Sequence, residues 1–222
     1  MLLSSIVVNN ITVFELNRYY LEDLIDFYIV HDALKLMVEN QYGLIPIILD
    51  RLKTKDDILE VKLILDNNIT INYIGSNTGE YYKYTTKDGM VVQNIELVYE
   101  IIQLQYKLPS RITMEERDFI NSILNKYPPY SKTTLISEGY VDIGAGTPLP
   151  IASMGDGYRS VIKYLSKCYS LLQRGNNNTV LLLLAPFDTN CGLESNLSKL
   201  IKKAIQELGV NFLYLNPGYY PF

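Results

Sequence analysis

The segment Pro150-Ile151-Ala152-Ser153-Met154-Gly155-Asp156-Gly157-Tyr158-Arg159-Ser160 gathers more potential chemistry than any other stretch of this chain. Ser153, Gly155, Asp156 and Gly157 place a hydroxyl, a carboxylate and two flexible backbone positions within five residues. Glycine lets a backbone approach a ligand closely, and a helix N-terminus offers unpaired N–H groups to an anion. The same residues also suit a plain helix start, with Asp156 near the N-cap. A second polar group, Asp188-Thr189-Asn190, follows the apolar run Thr179–Leu184 and Pro186. It reads as turn chemistry after a strand. Other chemistries are poorly supplied. His31 is the only histidine, so a multi-histidine metal site is excluded. Zinc would need Cys168 and Cys191 together with carboxylates. A Ser-His-Asp triad would have to use His31, which has no nucleophile motif near it. No glycine precedes Gly43, and no Gly-x-x-x-x-Gly-Lys-[Ser/Thr] phosphate loop occurs. Gly144 and Gly146 are not followed closely by a lysine, so they read as an ordinary loop. No catalytic and no metal-binding residues are assigned.

The Ser153–Gly157 turn, the helix after it and the strand ending at Pro186 together resemble the signature region of ABC-type ATPases of the OLD and SMC-like (AAA ATPase-like) group. In that family a Ser-x-Gly-[Asp/Gly]-Gly turn opens a helix and contacts the γ-phosphate of ATP held by the opposite subunit. The resemblance covers roughly residues 145–217, and more weakly 1–40, where Leu2–Phe14 looks like the opening hairpin and Ala33-Leu34-Lys35-Leu36-Met37 like the helix after the P-loop. It implies an α/β fold: a P-loop-NTPase-like ABC ATPase core with a parallel sheet plus an antiparallel β subdomain. Asp188, Thr189 and Asn190 would then be the D-loop. The chain departs from the family at its reactive positions. Leu184 and Ala185 stand where the Walker B acids should be, Asn216 stands near the switch histidine, and the Walker A motif is missing. Loss of the phosphate-loop lysine and of the metal-side acid removes two stabilisers of phosphoryl transfer. The resemblance therefore implies a pseudo-ATPase: no enzyme, no cofactor of its own, and at most a contact in trans with ATP on a partner, an intact ATPase paralogue. The alternative is a structural adaptor that keeps the fold without a nucleotide role.

The 222 residues suit a single domain able to bury a full core. With 48% apolar and 20% charged residues the composition is that of a globular protein. A net charge of −4 argues against direct nucleic-acid binding, which asks for a basic face. No apolar run is long enough for a bilayer, Met1–Ser5 lacks the basic start of a secretory signal, and two cysteines fit a reducing compartment. The expected location is cytoplasmic. The expected partner is a protein, and Tyr219-Tyr220-Pro221-Phe222 is either a self-docking tail or a partner-binding patch.

These residues need elements to hold them. Leu2–Val8 and Thr12–Leu16 read as strands joined by Asn9-Asn10. Residues 20–40 are either helical throughout or a buried strand, Leu24–Val30, feeding a helix, His31–Asn40. Residues 55–106 read as an antiparallel β subdomain, with Asn67-Asn68, Ser76–Gly79 and Asp88-Gly89 as turns. Its last segment, Leu97–Tyr106, fits a strand or a helix. Thr113 opens a helix reaching about Lys126. Residues 145–222 read as an α/β lobe: helix from Tyr158, apolar strand Thr179–Leu184, helix Leu197–Leu208 capped by Gly209, and strand Val210–Leu215, implying parallel strands with right-handed crossovers. Lys202-Lys203 is the solvated face of that second helix.

Overall fold

The computed structural model describes residues 1–15, 24–102, 112–127, 132–137, 139–185 and 203–214. Strands β1 (Leu3–Val8) and β2 (Ile11–Glu15) form a hairpin. Its two turn residues, Asn9 and Asn10, both have positive φ, the left-handed conformation that asparagine tolerates better than most residues. Helices α1 (Leu24–Glu39) and α2 (Ile45–Arg51) follow, then β3 (Ile58–Leu65), β4 (Ile69–Ser76), β5 (Tyr81–Lys87) and β6 (Met90–Val92). These six strands make one antiparallel sheet in the order β2-β1-β3-β4-β5-β6. The period-2 pattern sets its faces: Leu59, Val61, Leu63 and Leu65 of β3 are all buried, and the residues between them are half-buried.

Strand β7 (Glu96–Ile101) leaves that sheet. It lies parallel to β11 (Thr179–Ala185), whose other neighbour is β12 (Val210–Tyr214), also parallel. Helix α3 (Met114–Leu124) begins at Thr113, whose hydroxyl accepts the Glu116 N–H at 3.2 Å. The short strands β8 (Thr134–Ser137), β9 (Tyr140–Asp142) and β10 (Leu149–Pro150) form a third, antiparallel sheet, and α4 (Asp156–Arg174) connects it to β11. Residues 203–207 are helical, and Gly209 at φ +78° ends the turn before β12.

The parallel sheet is a wall between two cores. Val180, Leu182 and Leu184 face α1, α2 and the inner face of the large sheet. Leu181, Leu183 and Ala185 face α3, α4 and the small sheet. One buried side chain ties the first core's two sheets together. The Asn211 carboxamide accepts the Leu3 N–H at 2.7 Å and donates to the Leu181 and Met1 carbonyls at 3.0 and 3.1 Å.

This architecture corrects the expected fold class. The fold is mixed α/β with a predominantly antiparallel six-stranded sheet and a small parallel one, not a P-loop-NTPase core built on a parallel sheet. Two-residue turns at 9–10 and 88–89 join antiparallel neighbours, because a parallel pair needs a long crossover. The helix–strand–helix–strand pattern of the last third does give parallel strands, but it contributes only β11 and β12. Their third partner, β7, comes from a segment read as the possible end of the antiparallel subdomain. Residues 24–39 are helical throughout, so the strand reading of Leu24–Val30 is also corrected.

Candidate functional site

The turn before α4 is assembled from its anchors inward. Ile151 is buried in the second core, and its N–H donates to the Gly139 carbonyl at 2.7 Å. Residues Ile151–Ser153 make one 3₁₀ turn, closed by Met154 N–H to the Ile151 carbonyl at 3.0 Å. Met154 is half-buried against the second core. Ala152, Ser153 and Gly155 remain exposed. The Ser153 hydroxyl donates to the Pro150 carbonyl at 2.6 Å, which leaves its oxygen able to accept from outside.

Gly155 is the N-cap of α4, with φ −57° and ψ 151°, and no side chain caps the helix there. Its carbonyl accepts from Tyr158 and Arg159 at 3.0 and 3.2 Å. A Cβ at Gly155 would meet nothing within 4 Å, so there is room for a side chain at that position. Asp156 and Gly157 form the first helical turn. The helix behind them is held firmly: Val161, Ile162, Leu165, Cys168 and Leu171 are buried in the second core. Glu100 of β7 takes Lys167 at 3.0 Å and Arg174 at 2.6 Å, and Ser166 is bonded to Glu116 of α3. Among the described residues, this 19-residue helix thus has no side chain capping its N-terminus. Its macrodipole and first N–H groups favour an anion at that end.

The other candidates are placed differently. Asp188, Thr189 and Asn190 lie outside the described residues, as do the Tyr219–Phe222 tail, Cys191 and Lys202. His31 lies on α1, against Tyr99 of β7, with ring centroids 6.5 Å apart. Burial pushes its pKa below 6.5, while Asp32, whose Oδ1 is 3.7 Å from His31 Nδ1, pulls the other way. Asp32 itself pairs with Arg51 of α2, and that guanidinium sits 5.3 Å over the Tyr28 ring. This cluster joins α1, α2 and β7. Burial raises the Cys168 thiol to about 12, so it is a core side chain rather than a nucleophile. Among the described residues no group of three or more His, Cys, Asp or Glu side chains is arranged to hold a metal ion. No described helix is long and apolar enough to cross a membrane.

Sequence reading missed a surface cleft of about 430 Å³ lined by Asn9, Asn10, Asp56, Asp57, Ile58 and Glu60. Its polar groups are largely spent on structure. Asn9 donates to the Ile58 carbonyl at 3.0 Å and accepts the Glu60 N–H at 2.7 Å, while Thr54 donates to Asp56 at 2.6 Å. The Asp56-Asp57 pair was the available signal, but nothing in the order of residues says that the 9–10 turn folds over it. Comparison with known protein families, with characterised proteins and with solved structures finds no match for this chain.

Proposed function

We propose that this chain acts by association with a protein partner rather than by catalysis, and that the turn Ser153–Gly157 is the contact it offers. The observation that carries the reading is the turn just ahead of α4: Ala152, Ser153 and Gly155 are exposed, no described side chain caps the helix, and the helix is anchored from behind. Such an end suits an anionic group brought by the partner. In view of the turn's sequence, the anion we favour is a phosphate of ATP held by an intact ATPase. This needs no nucleotide-binding core in the chain itself, only the helix end and an interface.

The test has two parts. The isolated chain neither hydrolyses ATP nor binds Mg-ATP appreciably by calorimetry; micromolar affinity defeats the proposal. Ser153→Arg puts a long side chain at this turn and lowers the ATPase activity of the co-purified complex at least tenfold, with unchanged thermal stability. An ATPase activity equal to wild type overturns the phosphate role. A specific observation favours a second reading, a structural adaptor that uses no nucleotide: the Ser153 hydroxyl is already bonded within its own turn. That reading predicts full partner capture by Ser153→Arg.

A further inference from the structure

The six-stranded sheet ends in β6, a three-residue strand on which Met90 and Val91 are 71% and 73% exposed. Tyr82, on the neighbouring β5, is 68% exposed. Lys87 and Met90 flank the two-residue turn Asp88-Gly89 and are partners across it. In such a hairpin the flanking pair exchanges backbone hydrogen bonds, and the next residue along points its N–H and C=O the other way. Val91 therefore aims both of its backbone groups away from β5, at the open edge.

We propose that this edge pairs with the same edge of a second copy of the chain, β6 antiparallel to β6, about a two-fold axis through Val91. At that centre the two Val91 residues exchange N–H and C=O, which only a residue with both groups facing outward can do. Such an interface is self-complementary by construction. The neighbouring positions agree with it. Residues 89–95 (Gly-Met-Val-Val-Gln-Asn-Ile) carry no charge, so the two-fold axis brings no like charges together. Met90 of each copy then lies beside Val92 of the other, apolar against apolar.

The opposite edge of the sheet differs. On β2, Val13 and Phe14 are already buried and the strand ends in an exposed Glu15, a charge that discourages edge pairing. Lysine and glutamate are the usual guards of an exposed edge, and β6 has neither. A three-residue ladder covers much less than the roughly 1,000 Å² of a stable interface, so the dimer is a weak one.

Sedimentation equilibrium on the full chain tests this. Wild type is expected to rise from the 25.4 kDa monomer toward twice that mass as concentration increases, with a midpoint on the order of 100 µM for a small interface. Val91→Lys sets two like charges on the axis, and Val91→Pro removes the outward N–H without touching the β5–β6 pairing. Both are expected to stay monomeric over the same range. A wild type that is monomeric throughout overturns the proposal, as does a dimer that both variants retain. Amide exchange provides a readout independent of any variant: Val91 N–H exchange slows several-fold between dilute and concentrated wild type, and a rate independent of concentration counts against the pairing.

Discussion

The two larger sheets of this molecule are built by opposite routes. The antiparallel sheet forms mostly between sequence neighbours, through turns at Asn9-Asn10, Asn67-Asn68, Ser76–Gly79 and Asp88-Gly89. The parallel sheet joins strands from residues 96, 179 and 210 onward, and the described residues between the first pair include two helices and a small sheet. Local turn chemistry specifies the first. Only burial specifies the second: β11 is apolar along its whole length because both its faces are covered. The parallel sheet should therefore be the cooperative centre, and the far edge of the antiparallel sheet the most independent part.

The sharpest way to break this contrast is at Leu182, 0% exposed in the middle strand. Leu182→Ala is expected to cost about 2–5 kcal/mol in urea unfolding, with one transition by every probe. If the amides of β3–β5 keep their exchange protection while β11 loses its own, the sheets are separate units and the comparison fails.

Asn211 comes next, because its carboxamide is the polar link between the sheets. Asn211→Ala leaves the Leu3 N–H and the Leu181 carbonyl buried without that partner, at a cost of about 2 kcal/mol. Exchange should rise in β1 before it rises in β4. Asn211→Asp keeps an acceptor for Leu3 but removes both donors, so it should not restore stability.

A smaller and local effect is expected at Gly89, whose φ of +80° suits glycine and strains a branched side chain. Gly89→Val should cost about 1 kcal/mol. The loss of exchange protection should be confined to β5 and β6. Spread into β11 would mean that the far edge is less independent than its turns imply.

The smallest effect is a pH dependence at the junction of α1 and β7. Burial holds the His31 pKa below 6.5, so the unfolded chain binds the proton first. Stability is then greatest above pH 6.5 and declines as pH falls below it toward the folded value. His31→Gln should flatten that decline between pH 7 and pH 5 in urea titrations. A decline as steep as in wild type would assign it to other groups.

What the sequence determined by itself is the part governed by neighbours along the chain. The strands of β3–β6 follow from alternation and turn residues, the start of α3 from Thr113 and Glu116, and the depth of β11 from its unbroken apolar run. The candidate turn was equally legible, since glycines, serine and an amphipathic helix lie side by side from 153 onward. Its exposure was not, because covering a helix end depends on what the rest of the chain brings over it. The tertiary structure alone decided where β7 goes. Glu96–Ile101 is extended in either sheet, and alternation cannot choose between an antiparallel neighbour nearby and a parallel one eighty residues on. Pairing with β11 wins a place between two cores, where Leu97 and Ile102 are buried on opposite sides. The same holds for Asn211: its buried carboxamide looks unfavourable in a strand until Met1, Leu3 and Leu181 arrive to bond it.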